Sequence, residues 1–387
     1  MKILFLSAWY PNRYDSMPGL FVKQHAEAVA QLHDVAVLYT QTKEEGTWEL
    51  EEKTVNGVYS VTVYYKASKG NWLINNGLTK GVRFLYTHYI GFRRILKVFG
   101  KPQLIHVNIL TRCGLVALFA KWILRIPYVI TEHWSRYLST RNDYSGSLRK
   151  IATKLVVKNS LGIVTVSNAL KKAMIDRGLN HPVFKVIHNS VDTLVFVPSV
   201  AQNPSGIKTF SHISCFDDAA KNISGILRVI ASLKDKRTDF RFFLVGEGPD
   251  KQKIERLSDS LDLTNKYVFF TGLLEGLQLV EIYQQSLFTV LFSNYENMPV
   301  VIAESMSCGV PVIATRVGGI PEVVNETNGI IVEAKNEAGL LLAIDQMLNT
   351  ATNYNQGEIR NYALKTFSKE GFIQQYEDFY RNSLKKN

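Results

Sequence analysis

The sequence predicts an α/β chain built as two open, mostly parallel sheets wrapped by helices. Three observations carry this. A length of 387 residues makes two domains the natural expectation. Hydrophobic residues make up 46% and charged residues 20%, the balance of a globular protein with room for real cores. Short apolar runs alternate with helical patterns from residue 2 onward, and the alternation restarts near residue 209, as in consecutive βαβ units.

In order, residues 2–7 form the first strand. Residues 11–19 are rich in turn formers and lead to a helix over 21–32, then a strand over 33–40. The loop ending at Gly19 thus lies at the carboxyl end of the first strand, where ligands sit in open α/β sheets. Gly19 either lets backbone approach a ligand or simply turns the chain into the helix. Residues 48–66 alternate as strands, 75–99 read as an aromatic-rich helix, 103–108 as a strand, and an apolar helix runs on to 124. Residues 127–135 form a strand that reaches His133, a position where a lone histidine is ordinarily structural. A helix over 146–159 precedes a strand over 162–167.

The second series runs strand 209–216, helix 221–233, strand 239–250 with a Gly turn, helix 251–261, strand 267–272, helix 277–284 and strand 287–292. A polar turn, 293–297, then delivers a helix for which Asn297 is the expected N-cap and Pro299 sits in the first turn. Gly309 ends that helix, Pro311 opens a strand, and Gly318-Gly319 makes a turn before Pro321-Glu322. A strand end over 329–336 and a helix over 337–348 follow. Phe372, Tyr376, Phe379 and Tyr380 repeat at helical spacing.

Net charge is +11, and its distribution matters more than its size. Residues 53–131 hold 12 Lys or Arg and no Asp or Glu, which leaves 33 basic and 34 acidic residues elsewhere. Within that stretch residues 66–74 and 83–97 mix cations with aromatics. An anionic membrane surface would suit them, and a solvated basic face without a partner is the plain alternative. No nucleic-acid motif accompanies the charge, so nucleic acid is not expected as a partner. The 3 cysteines, Cys113, Cys215 and Cys308, include no C-x-x-C pair, which fits a reducing cytoplasm rather than a disulfide scaffold or zinc site. The opening apolar run is too short for a signal peptide, and Lys121 and Arg125 break the longest one, so no membrane span is expected. Cytoplasmic location, with peripheral attachment to the inner face of a membrane, is the expectation.

The chemistry concentrates between residues 293 and 322. A helix start offers free N–H groups and the positive end of a dipole, which suits a phosphate. Glu296 precedes that helix and Glu304 lies within it. Carboxylates beside a phosphate site repel it unless they bind hydroxyls, and a sugar joined to a nucleotide diphosphate supplies both groups. Either glutamate alone reads as an ordinary surface residue; the whole string does not. Gly246-Glu247-Gly248 follows a strand as in a dinucleotide fingerprint, but Lys251 holds the place of the third glycine, which disfavours NAD. Asp217-Asp218 is not an Asp-x-Asp metal motif. No Walker A, G-x-S-x-G or H-E-x-x-H string is present.

Glu296 and Glu304 with seven residues between them, Cys308-Gly309-Val310-Pro311-Val312 and Gly318-Gly319-Ile320-Pro321-Glu322 resemble the signature of the family 4 glycosyltransferases (glycosyl transferases group one). That resemblance implies the GT-B fold: two Rossmann-like domains facing across a cleft, with the last helix crossing back to the first. It sets an acceptor-binding domain at 1–195, a nucleotide-sugar domain at 196–365 and the returning helix at 366–387. Asn189, Val191, Asp192 and Phe196 match the family's linker, with Ser190 where Gly is usual.

The resemblance also implies roles. Glu304 would bind the ribose hydroxyls, Glu296 the transferred sugar, and His133, in its T-E-H-x-S setting, would touch and orient that sugar. Asn297, Met298, Pro299 and Val300 would lie beside sugar and phosphates, Pro299 without an N–H to give. Gly272, Leu273 and Leu274 would flank the base, Gly246 and Gly248 the nucleotide side, and Gly19 the acceptor and donor phosphates. Lys221 would bind the diphosphate; a lysine opening a helix opposes the dipole, which asks for another reason. The family's partner Arg is absent, since Ser214-Cys215-Phe216 stands in its segment.

The expected activity is therefore a retaining, metal-independent transfer from a nucleotide-diphosphate sugar to a glycan or lipid-linked acceptor, in surface polysaccharide or glycoconjugate synthesis, with no cofactor. The alternatives are a nucleotide-sugar epimerase of similar fold, a phosphorylase (for which no pyridoxal lysine is evident) and a non-catalytic membrane-associated relative.

Overall fold

The structure is a computed structural model and describes residues 1–15, 17–66, 77–141, 143–199 and 206–385. Most of the basic, aromatic segment 66–74 lies outside the described residues. The chain divides into two compact units. One comprises Met1–Val166, Lys171–Ile187 and Ile373–Asn387; the other comprises Ser167–Leu170 and His188–Phe372.

The first unit runs β1 (Lys2–Ser7), α1 (Leu20–Val29), β2 (Asp34–Lys43), β3 (Glu49–Val55), β4 (Val58–Lys66), α2 (Gly77–Val98), β5 (Leu104–Asn108) and α3 (Thr111–Leu124). It continues with β6 (Tyr128–Glu132), α4 (Ser147–Asn159), β7 (Ile163–Thr165), α5 (Asn168–Asp176), whose first turn counts with the second unit, and β8 (Phe184–Val186). The sheet order is β3-β4-β2-β1-β5-β6-β7-β8. Every pairing is parallel except β3 on β4, a hairpin closed by Asn56-Gly57, both at positive φ. The order reverses between β1 and β5, whose residues Ser7 and Asn108 lie in register.

The C-terminal residues are tied into this unit by hydrogen bonds rather than by apolar spacing alone. Tyr376 Oη and Thr131 Oγ1 lie 3.0 Å apart, and Tyr380 Oη meets His106 Nδ1 at 2.7 Å. His33 Nε2 reaches Glu377 at 2.7 Å. Burial pushes His106 down to about 3, so it stays neutral and serves this network as a hydrogen-bonding ring.

The second unit runs β9 (Lys208–Ile213), α6 (Asp218–Lys221), α7 (Ile223–Lys234), β10 (Phe240–Val245), α8 (Lys251–Ser260), β11 (Val268–Gly272), α9 (Gly276–Gln285) and β12 (Thr289–Leu291). Then come α10 (Val300–Ser307), β13 (Val312–Thr315), β14 (Gly329–Val332), α11 (Glu337–Thr350), α12 (Gln356–Phe367) and α13 (Lys369–Lys385), which passes into the first unit at Ile373. Its six strands pair in the order β11-β10-β9-β12-β13-β14, all parallel. Counted from the first strand of the unit this is 3-2-1-4-5-6, the doubly wound order with its reversal between β9 and β12. Phe210, Phe242 and Phe288 fill the core, with Phe210 and Phe288 stacked at 4.8 Å.

Three sequence expectations change. The helix expected over 221–233 begins at Ile223 as α7, and Lys221 falls instead in the short α6, set apart by Asn222 at a left-handed φ of 51°. Lys221 therefore closes α6 instead of opening a helix, and its charge agrees with that helix's dipole. Asn297 is not an N-cap: α10 begins at Val300 with Pro299 in the cap position, and the Asn297 side chain is drawn off to Ser167. Residues 188–195 join the second unit, held there by bonds from Asn189 Nδ2 to Met298 O (2.8 Å) and from Val191 N to Phe367 O (2.9 Å).

Candidate functional site

In the second unit the topology brings two segments together. The segment after β9 carries Lys221, and the segment after β12 carries Glu296. Reversal of the strand order between β9 and β12 leaves a crevice at their carboxyl ends, and the Lys221–Glu296 ion pair forms there. Glu296 is buried, and its Oε1 also accepts from Ser293 Oγ at 2.9 Å. A buried carboxylate needs such partners, since unpaired it would be costly to desolvate.

The Gly-Gly turn holds this segment by close backbone approach. Gly318 has φ +54°, and a Cβ there would fall 2.1 Å from Glu296 O. A Cβ on Gly319 would fall 2.6 Å from Ser167 Cβ, and its N–H donates to Asn297 O at 2.7 Å. Ser167 Oγ in turn donates to Asn297 Oδ1 at 2.8 Å. Glu322 accepts from the backbone N–H groups of Asn168 and Ala169, each at 2.8 Å. The glutamate of the G-G-x-x-E string is thus a backbone anchor, which its place in the string did not reveal.

Glu304 sits in α10, partly buried, and accepts from Tyr283 Oη at 2.8 Å. Desolvation pushes its carboxyl up to about 7, and the Tyr283 hydrogen bond opposes that rise. Glu304 is therefore harder to ionise than an ordinary glutamate. Asn297 and Met298 are buried ahead of α10, and Pro299 and Val300 are half-buried at its start.

The nucleotide-side glycines form a second group. Gly246 (φ +137°) and Gly248 lie against the backbone of 214–216, with no room for a Cβ at either. Phe216 N donates to Glu247 O at 2.8 Å, and Gly246 N to Gly272 O at 2.9 Å. The loop after β10 therefore bridges the loops after β9 and β11. Leu273 is exposed and Leu274 half-buried just beyond β11.

Gly19 and His133 belong to the first unit. Gly19 precedes α1 at φ +71°, and a Cβ there would fall 2.2 Å from Trp9 O. His133 follows β6, its ring 4.5 Å from that of Phe21 on α1. Burial holds His133 well below its usual value, so it is neutral. Three features here escaped the sequence reading. Glu132 accepts from the N–H groups of His133, Trp134 and Leu110 at 2.8, 2.8 and 3.0 Å, fixing the loops after β5 and β6. Ile109 adopts φ +69°, a strained conformation for a β-branched residue, where the strand order reverses. Trp9 and Trp134 meet edge to face at 5.0 Å.

Among the described residues no helix is long and apolar enough to cross a membrane. Helices α2 and α3 instead form an apolar groove of about 330 Å³ lined by Tyr89, Phe92, Leu96, Phe119 and Ile123.

A model of the glycosyl transferases group 1 matches residues 212–365, and one of glycosyltransferase family 4 matches residues 19–194. An N-acetyl-alpha-D-glucosaminyl L-malate synthase of Bacillus anthracis is 27% identical over 73% of this chain and 75% of that protein. A sucrose-phosphate synthase from Thermosynechococcus elongatus superposes with a TM-score of 0.78 at 20% identity, covering 100% of both chains. Anabaena HepE in complex with UDP gives 0.72 at 18% identity, covering 99% of this chain and 100% of that one. These likenesses are of fold: two parallel-sheet, Rossmann-like units, as in GT-B glycosyltransferases.

Proposed function

The chain belongs to the family 4, group 1 glycosyltransferases, and from that premise we propose that it moves a sugar from a nucleotide-diphosphate sugar to an acceptor hydroxyl with retention of configuration. The observation that carries this is the Lys221–Glu296 pair at the switch point of the second unit. A cation and a hydroxyl-binding carboxylate side by side suit the diphosphate and the sugar of one donor.

In the proposed step the acceptor oxygen bonds to the anomeric carbon on the face the diphosphate leaves. The bond from that carbon to the phosphate oxygen breaks, and the acceptor's proton passes to the departing diphosphate. The products are the glycoside and a nucleoside diphosphate. Lys221 carries the developing phosphate charge in place of a metal, aided by N–H groups of Met298 and Val300. Asn297 and Pro299 shape the turn that presents them. Glu304 binds the ribose hydroxyls, Gly272, Leu273 and Leu274 flank the base, and Gly246 and Gly248 let the loop on the nucleotide side pack closely on the backbone of 214–216. Neutral His133 donates or accepts a hydrogen bond to the transferred sugar without adding charge, and Gly19 gives the loop room.

A glycan or lipid-linked acceptor is the reading we favour. The apolar α2–α3 groove, on a stretch free of acidic residues, suits attachment to an anionic membrane surface. Flotation with anionic but not neutral vesicles is the expected result, since each Lys or Arg near such a surface contributes about 1 kcal/mol.

Thermal stability with UDP, GDP, ADP and CMP added separately tests the donor reading. One nucleotide at about 100 times its Kd raises stability by about 2.7 kcal/mol. No shift with any of the four would overturn it. With a donor of that nucleotide, activity that survives EDTA and an axial product anomer from an axial donor are expected.

A further inference from the structure

The first unit holds a pocket of about 480 Å³ at the carboxyl ends of β1, β2 and β4, beside the loop after β6. Trp9, Trp134, Tyr65 and Phe84 supply flat apolar walls, and Arg112, Arg136 and Arg149 supply charge. Arg136 is the unusual member. Only 7% of its surface is exposed, yet neither Nε nor Nη1 has a hydrogen-bond partner among the described residues. Its guanidinium lies over the Trp134 ring, 3.1 Å from the centroid.

The nearby acids are taken. Glu132 spends its oxygens on the N–H groups of Leu110, His133 and Trp134, and Asp143 pairs with Arg141 at 2.8 Å. A guanidinium buried without acceptors is unfavourable unless something else satisfies it. Its planar fork matches the two oxygens of a carboxylate or phosphate, and the tryptophan faces match the C–H face of a sugar ring.

We propose that this pocket is an acceptor subsite that reads an oxyanion, with Arg136 binding a phosphate or carboxylate carried next to a sugar ring packed on Trp9 and Trp134. The proposal rests on the glycosyltransferase reading and narrows it to acidic acceptors. Arg112 and Arg149, both exposed at the rim, draw the anion in.

Trp9 and Trp134 make intrinsic fluorescence a direct reporter. The intact chain, without nucleotide, is titrated with glucose 6-phosphate, glucuronate and glucose. Saturable emission change with one or both anions, and at least about tenfold weaker binding of glucose, is the expected result. A response to the phosphate alone or to the carboxylate alone assigns the source of the oxyanion. Arg136→Gln should lose at least about tenfold in affinity for the responding anion, and Arg136→Lys, lacking the fork, should recover only part of it. Should Arg136→Gln fail to give a cooperative melt, Arg112→Gln, altered at an exposed position, should weaken the same anion a few-fold and steepen nothing for glucose. Equal affinity for glucose and both anions, or no response to any anion, overturns the proposal. Nucleotide binding by the same preparation keeps the two readings apart: a chain that binds nucleotide but ignores both anions refutes the subsite alone.

Discussion

The two units repeat one architecture and differ in how they build the point where strand order reverses. In the second unit the crevice between β9 and β12 is made by charge. Lys221 meets Glu296, and glycines press backbone against backbone to hold them. In the first unit the crevice between β1 and β5 is made by backbone geometry and packed rings, with arginines lining the adjoining pocket. A strained Ile109, a buried Glu132 that ties loops through their N–H groups, and edge-on tryptophans define it. Under the proposed function the fixed charges of the second unit would meet the donor, and the rings and cations of the first unit would meet the acceptor. Variants on the two sides should therefore fail in different ways.

Lys221→Met should have the largest effect. It removes the charge proposed for the leaving diphosphate and strands Glu296 in a buried place. Turnover should fall about 10²- to 10³-fold, the range for losing one preorganised group that meets developing charge. Steady-state kinetics with saturating donor checks this. Loss confined to KM would assign Lys221 to ground-state binding instead. Adding Glu296→Gln to it should cost much less than the two separate losses combined, because the pair acts as a unit.

Glu304→Ala comes next. A carboxylate that binds ribose hydroxyls contributes charge-assisted hydrogen bonds, so nucleotide affinity should drop about 10- to 100-fold by calorimetry. Unchanged affinity removes Glu304 from the nucleotide site. Its carboxyl, pushed up to about 7 by burial, adds a pH signature. The ionised form is the better acceptor, so affinity should level off above pH 7. Below it, affinity should weaken about tenfold per unit, with the proton competing for the same oxygen. Glu304→Gln should flatten that profile.

The candidate site of the second unit was largely legible in the sequence because its chemistry lies in short strings. Glu296, Glu304 and the Gly-Gly turn are close in sequence, and the helix and strands around them follow apolar periodicity. What escaped depends on partners far along the chain. Asn297 reads as a cap from its neighbours alone, yet Ser167, 130 positions away, takes its side chain. The break at Asn222 needs a left-handed residue that no periodicity announces, and it reverses the meaning of Lys221 at a helix end. Glu322 anchors Asn168 and Ala169 across more than 150 positions. In the first unit Gly19 and His133 were named from the sequence, and the arginine-lined pocket was not. Trp134 fills the variable place of T-E-H-x-S and Arg136 follows that string, and only the fold shows that one covers the other.

Gly318→Ala tests the backbone contact between those legible strings. Its φ of +54° disfavours a side chain, and the new Cβ would meet Glu296 O at 2.1 Å. The cost should be about 1–3 kcal/mol of stability by denaturant melts, with turnover falling further than stability because Glu296 is displaced. A fully stable and active variant would show that the turn relaxes without moving Glu296.

Tyr380→Phe is the mildest test and falls on the first unit. Its hydroxyl meets His106 Nδ1 at 2.7 Å inside a network that also holds Thr131 and Tyr376. Both rings stay packed when the hydroxyl goes, so only the hydrogen bond is lost. The expected loss is about 1 kcal/mol of stability, with nucleotide affinity unchanged. His106 is buried and neutral, and the missing hydroxyl leaves one of its nitrogens without a partner, which sets the sign of the effect. Thr131 lies near the end of β6, just before Glu132 and the loop residue His133, so loosening the helix that carries Tyr380 reaches the loop bearing Trp134. Acceptor KM should therefore rise before kcat falls. A change in nucleotide affinity instead would tie the C-terminal helix to the donor side and break the division of labour between the two units.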